Sequence, residues 1–272
     1  MNMLIAALPM YDWPETRAET DAEWARIRDR LSLFGIDAPK HLARRNADLP
    51  PVPGGIRDAS GQTIAPNPAS LPPDEFDLHT LWVHPNLMFA QTCWGPMEMG
   101  LARHVQVIGQ PNYDAFEGGQ GALYSSAIVM RSGDASLFDL PSRATNSVRY
   151  RLEPSIPLER LRGKRLAFNS ADSISGIIAL TRDLDAVGIG LDIFAECIET
   201  GAHRASVAAV VDGRADVCAI DCRSWAMMKR FRDVRSVEVV GWTDKRKGLP
   251  FITARTTPAD AAEHLRQILQ EV

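Results

Sequence analysis

"TGAHRASVAAVVDGRADVCAID", residues 200–221, is the stretch from which the rest of the chain can be read. Val207, Val210 and Val211 share one helical face, Gly213 stops the helix, and "ADVCAID" continues as an apolar strand. A helix that hands over to a buried strand is one repeat of an α/β sheet. The same handover recurs on both sides. "LERLRGKRLAFN" is a short helix, a Gly stop and a strand, and "SISGIIALTRDLDAVG" is a helix ending at Gly188. "FAECIETG" is a strand, "RSWAMMKRF" a helix and "VRSVEVVGWT" a strand. The alternation predicts a mainly parallel sheet with both faces covered.

Towards the N-terminus the pattern is looser. Residues 3 to 8 read as a first strand, and "TDAEWARIRDRLSLFG" (20–35) as an amphipathic helix. Thr20 is its expected N-cap, Glu23 completes a capping box, and Trp24, Ile27, Leu31 and Phe34 form its apolar face. Residues 48 to 75 are rich in Pro, Gly, Asn, Asp and Ser and predict a long loop with one short strand pair, a surface insertion or a mobile lid. Strands are expected near 87–91, over 104–113 and over 122–131, with "FEGGQG" as a glycine-rich turn. The C-terminal "TPADAAEHLRQILQEV" is a helix with Thr257 as N-cap and Pro258 at its first position.

Composition narrows the function classes. The chain has 272 residues, a net charge of −4 and 45% hydrophobic residues. "DKRKG" is too short to serve as a nucleic-acid arm, so no nucleic-acid partner is expected. Cys93, Cys197, Cys218 and Cys222 show neither CxxC spacing nor a disulfide framework, and no cofactor motif or metal-ligand pattern accompanies them. "MNMLIAALPMYDWPE" lacks a basic start and is interrupted by Pro9, so it reads as neither a secretory signal nor a membrane segment. The expected location is cytoplasmic as encoded, or periplasmic if a leader was removed.

Polar loops follow four strands: "PMYDW", "QTCWG", "NSADSISG" and "ETGAHRAS". Asp221 ends a fifth strand. In open α/β sheets ligands bind at the carboxyl ends of strands. If these ends converge, they gather Tyr11, Gln91, Thr92, Ser173, Ser175, His203 and Asp221, a donor-rich set with few fixed positive charges. Each residue alone also has a plain structural role, such as Ser173 as a helix cap. Two helices that both begin with small polar residues after a strand favour an oxyanion site, because helix N-termini carry free N–H groups.

"LPMYD", "SISG", "TGAH" followed by "ASVAAVVDGRADVCAID", a Trp in the next helix and "GLPFITA" together resemble one family. It is the PhnD-like group of phosphate, phosphite and phosphonate substrate-binding proteins of ABC transporters, with the type 2 periplasmic-binding-protein fold. The resemblance runs from residue 4 to about residue 254. It implies two α/β lobes, residues 1–103 plus 241–272 and residues 104–240, closing on an anionic small molecule in the cleft between them. It further implies that Ser173, Ser175 and the N–H of Gly176 hold the oxyanion and that His203 adds a donor. Tyr11, Gln91 and Thr92 would contribute from the first lobe. Asp221 would receive an amine or a protonated ligand oxygen, and Tyr124 and Ser126 match the first segment of the second lobe. An ABC permease is the partner so implied; the oligomeric state is left unknown.

The reading is thus a binding protein for a small oxyanion-bearing ligand, because no nucleophile with an adjacent base is evident. Two alternatives stand beside it: a cytosolic enzyme of cofactor biosynthesis on the same fold, and a ligand sensor that signals by lobe closure. The enzyme would rest on Cys93 as nucleophile and His203 as base.

Overall fold

The structure, a computed structural model, describes residues 3–133 and 155–270. The chain divides into two units, Met1–Pro111 with Leu249–Val272, and Asn112–Gly248. Both crossings therefore lie later than the sequence reading of 103 and 240. The first moves because Val105–Gly109 pairs with Phe251–Ala254 in the first unit's sheet. The second moves because Arg246–Lys247 pairs with Leu123–Tyr124 in the second unit.

The first unit's sheet has the order Ile5–Ala7, Leu87–Gln91, Phe251–Ala254, Val105–Gly109. Side chains alternate between its two faces. Ala6, Leu8, Phe89 and Phe251 pack on one side with the helices Arg17–Leu33 and Ala259–Gln270, through Trp24, Leu31 and Leu265. Trp24, Phe89 and Phe251 stack in sequence, at 5.4 and 5.2 Å. Ile5, Ala7, Leu87 and Ile252 face the other way, onto Leu81, Trp82 and Met97. Burial on both faces explains why "LMFAQ" carries no alternation.

Local details differ from the sequence reading. The first long helix starts at Arg17 behind Thr16, and the Thr20 hydroxyl donates to the Thr16 carbonyl instead of capping. The C-terminal helix starts at Ala259, and the Thr257 hydroxyl is shared with Thr253; its expected last two residues, 271–272, lie outside the described residues. The Pro-rich loop holds the expected strand pair, Ile56–Arg57 with Thr63–Ala65. It is not a detached lid: Leu49, Ile56 and Ala65 are buried in the first unit's core. Asn46 and Asn67 brace it through bonds to Pro72, Asp77 and Val52.

The second unit's sheet has the order Glu196–Glu199, Arg165–Phe168, Val217–Asp221, Ser126–Arg131, Val237–Trp242. Its core joins Ile128, Met130, Leu166, Val217 and Ala219 to Leu180 and Leu184 of the helix Ala179–Asp185. In each main sheet one strand runs against all its neighbours: Phe251–Ala254 in the first, Ser126–Arg131 in the second. Each is the first strand of its main sheet that the chain enters after crossing units. The remaining strands run one way, so their carboxyl ends share an edge.

At the opposite edge of the second sheet, Asp216 ties three segments together. Its carboxylate accepts from Arg131 Nη2 at 2.9 Å, from Arg165 Nε at 3.0 Å and from the Arg165 backbone N–H at 2.9 Å. These bonds hold its carboxyl well below the usual carboxylate range, with Arg165 the main cause. Asp216→Asn should lower the unfolding free energy by about 2 kcal/mol at neutral pH, read by urea denaturation. A carboxyl whose folded pKa is depressed contributes fully above its unfolded pKa, about 3.9, and loses that contribution as pH falls towards the folded value. The gap between wild type and Asp216→Asn should therefore narrow when the denaturation is repeated at about pH 3.

Candidate functional site

The carboxyl ends of Arg165–Phe168, Glu196–Glu199 and Val217–Asp221 lie side by side because these strands are parallel and in register. The polar loops that follow them are brought together for that reason alone. After Phe168 the chain turns through Asn169–Asp172 into a wide π-helical turn, Ile174–Ile178, which continues as the helix Ala179–Asp185. Ser173 caps it: its hydroxyl accepts the Gly176 N–H at 3.0 Å. That N–H, expected as a ligand donor, is therefore engaged inside the turn. The N–H groups of Ile174 and Ser175 precede any intrahelical acceptor.

After Glu199, Thr200 closes the next loop by donating to Phe168 O at 2.9 Å and sharing a 2.7 Å bond with Ser206. The helix His203–Val211 begins there, with His203 in its first position. Ser175 Oγ lies 2.8 Å from His203 Nε2. Asp221 Oδ2 lies 3.5 Å from the same nitrogen. The other Asp221 oxygen, Oδ1, caps the helix Cys222–Phe231 by accepting the Ser224 N–H at 2.9 Å. Asp221 stands directly across from Ser126 on the reversed strand, so the sheet register delivers Ser126 to the same place.

These residues are deeply placed. Ser126 is fully buried, Ser175 and Asp221 are 4% and 3% exposed, and the His203 side chain is 14% exposed. Burial pushes His203 below the usual imidazole range, and the Asp221 carboxylate pulls it back less strongly. The ring is therefore neutral at neutral pH. Within the unit, Ser126 Oγ, Asn169 Oδ1 and His203 Nδ1 are buried and have no hydrogen-bond partner. Asn169 was not among the expected site residues. A Cβ on Gly176 would come within 1.8 Å of Asn169 Oδ1, so the glycine is what admits the amide. An Asn at a strand's carboxyl end, ahead of a serine-rich turn, was the available signal.

Tyr124, also expected here, is buried in the small sheet of Gly119–Gln120, Leu123–Tyr124 and Arg246–Lys247, with its ring 5.4 Å from that of Tyr113. Tyr11, Gln91 and Thr92 belong to the other unit. There they follow or end the strands Ile5–Ala7 and Leu87–Gln91, all three are buried, and Thr92 Oγ1 lacks a hydrogen-bond partner.

Ser175, His203 and Asp221 have the composition of a hydrolase triad but not its geometry. A triad needs the serine and the carboxylate on opposite ring nitrogens, so that the acid orients the base. Here both approach Nε2, and Nδ1 is unpartnered. Cys93 lies in the other unit from His203, buried at the start of the helix Trp94–Glu98. Among the described residues there is no cluster of His, Cys, Asp and Glu able to hold a metal ion. Nor is any helix among them long and apolar enough to cross a membrane.

Comparison with known proteins bears on the family and the fold. Residues 98–272 match the family described as "ABC transporter, phosphonate, periplasmic substrate-binding protein". No curated protein matches the chain by sequence. Among solved structures, PhnD1 of Prochlorococcus marinus in complex with methylphosphonate is 13% identical, with a TM-score of 0.58 over 99% of this chain and 83% of that one. A Xanthomonas citri protein bound to ATP is 14% identical, with a TM-score of 0.57 over 98% of this chain and 82% of that one. A binding-protein component of an ABC phosphonate transporter from Pseudomonas aeruginosa is 11% identical, with a TM-score of 0.56 over 97% and 72%. At these identities the structural likenesses establish the fold, which is that of the type 2 periplasmic binding proteins. The family match spans well over half of the chain, and the chain belongs to the periplasmic substrate-binding proteins of phosphonate ABC transporters.

Proposed function

We propose that the second unit binds the oxyanion of a small phosphonate, phosphate or phosphate ester, and that the protein presents this ligand to an ABC permease. The observation that carries the reading is the group of buried polar atoms without partners: Ser126 Oγ, Asn169 Oδ1 and His203 Nδ1. A buried polar group left unsatisfied costs about 1–3 kcal/mol, so a ligand that supplies its partner recovers that amount. A tetrahedral oxyanion suits the set. The Ser126 hydroxyl donates to one oxygen, and the Asn169 carbonyl accepts from a protonated one. Neutral His203 takes the Ser175 hydroxyl proton at Nε2 as a hydrogen bond and keeps its own proton on Nδ1, as a donor.

The wide turn at Ile174–Ile178 adds the N–H groups of Ile174 and Ser175, an arrangement that favours anions without a fixed cation. Asp221 has a different part from the one the sequence suggested. One oxygen accepts the Ser224 N–H and so positions the helix Cys222–Phe231, while the other lies 3.5 Å from His203 Nε2, which in this tautomer has no proton to give it. The methylphosphonate of the Prochlorococcus protein and the ATP of the Xanthomonas protein both carry phosphorus oxyanions, which supports the ligand class.

Calorimetric titration with methylphosphonate and with inorganic phosphate tests the reading. Ser175→Ala combined with His203→Ala should weaken binding of the preferred anion at least tenfold, about 1.4 kcal/mol, while the circular dichroism spectrum is unchanged. Equal affinity in the double variant and the wild type would sink the assignment. Gly176→Ala should act through Asn169: the added methyl meets its amide, so the variant should be less stable by about 1–3 kcal/mol and also bind more weakly. A Gly176→Ala protein that loses stability but keeps its full affinity would remove Asn169 from the site.

A further inference from the structure

A second feature lies in the first unit and is built wholly from it. A cavity of about 590 Å³ is lined by Arg57, Arg103 and Arg255. It sits where the strands Leu87–Gln91 and Val105–Gly109 begin and the reversed strand Phe251–Ala254 ends. Thr92 follows the opposite, carboxyl end of its strand, so the cavity and the polar loops occupy opposite edges of the sheet. All three arginines are exposed, and none makes an ion pair among the described residues. Several guanidinium groups elsewhere meet carboxylates: Arg44 meets Asp12 and Asp21, Arg165 meets Asp216, and Arg246 meets Asp183. In a chain of net charge −4, three unpaired arginines around one cavity are not the product of a general excess of positive charge.

The cavity also has an apolar floor and stiff walls. Ile56 and Val83 are buried in the core beneath it, with Ile64 packed against them. His84 in its wall is held at both ring nitrogens: Nδ1 accepts the Asn86 N–H at 3.1 Å, and Nε2 donates to Pro50 O at 2.9 Å. The Arg255 N–H donates to His104 O at 3.0 Å, and Gln106 Nε2 donates to Arg255 O at 3.0 Å. Arg57 is steadied by a 2.8 Å bond to Gly61 O. The one carboxylate at the rim, Asp58, is turned inward to its own loop: its Oδ1 accepts from the Ser60 N–H and hydroxyl and from the Gln62 N–H.

We propose that this cavity is a second ligand site, which takes an amphipathic organic anion: an apolar body carrying an acidic oxyanion group. The apolar floor receives the body, and the guanidinium groups, planar donors suited to two-point recognition of oxyanions, receive the acid. The volume is in the range of small-molecule sites. The proposal is independent of the ligand assigned to the second unit.

The test uses the full chain and anilinonaphthalenesulfonate, whose fluorescence rises in an apolar site. The expected result is saturable binding of one equivalent, weakened at least tenfold in the double variant Arg57→Ala, Arg255→Ala. Phenylnaphthylamine, the same ring system without the sulfonate, should bind at least tenfold more weakly than the sulfonate. Saturating methylphosphonate should leave the titration unchanged. Should the double variant fail to fold, the wild type read at low and high salt decides, because an exposed charge pair weakens with ionic strength. Absence of saturable binding, equal affinity in the folded double variant, or affinity that ignores both salt and the sulfonate would overturn the proposal.

Discussion

Everything in the candidate site depends on the register of the second sheet, and that register is pinned from the far edge by Asp216. One carboxylate gathers the end of Ser126–Arg131, the start of Arg165–Phe168 and the turn into Val217–Asp221. With three strands aligned at one edge, their other ends must align as well. Ser126 then stands across from Asp221, and the loops after Phe168 and Glu199 come side by side. A charge-assisted bond of this kind is stronger than a neutral one. It lies where it cannot interfere with ligand chemistry.

The site itself is organised by incomplete satisfaction. Most buried polar groups in proteins find partners, so a concentration of exceptions carries information. Three exceptions fall within one strand-end cluster of the second unit, next to a serine–histidine pair at 2.8 Å. The same cluster shows why composition is a poor guide to chemistry. Serine, histidine and aspartate are all present, yet two of them share one ring nitrogen, and the arrangement needed for proton relay is missing. Hydrogen-bonded recognition of an anion uses the groups as they stand.

The regular second half of the chain was legible because its signals are local. Val207, Val210 and Val211 on one helical face, Gly213 after them and an apolar strand required only short-range reading; helix and strand appear as His203–Val211 and Val217–Asp221, with Val207 and Val210 buried and Val211, at the helix end, exposed. Ser173 as a cap was legible for the same reason. The cap-like pattern around Thr20 loses to a longer helix beginning at Arg17, whose extra turn buries Thr20. The crossings between units are not legible to the residue because pairing partners such as Val107 and Ile252 are far apart in sequence, and nothing local marks them.

By itself the sequence determined the α/β alternation, the family and the residue types available at the strand ends, since periodicity, caps and turn residues act within a few positions. Tertiary structure alone decided which of those residues meet. It engaged the Gly176 N–H with Ser173, turned Asp221 to Ser224 and His203, and brought Asn169 against Gly176. It also left Arg57, Arg103 and Arg255 around one cavity, although they are separated by most of the chain. The physical reason is the same in each case: a hydrogen bond or an ion pair is formed by distance in space, and only the packed sheet converts distant sequence positions into neighbours.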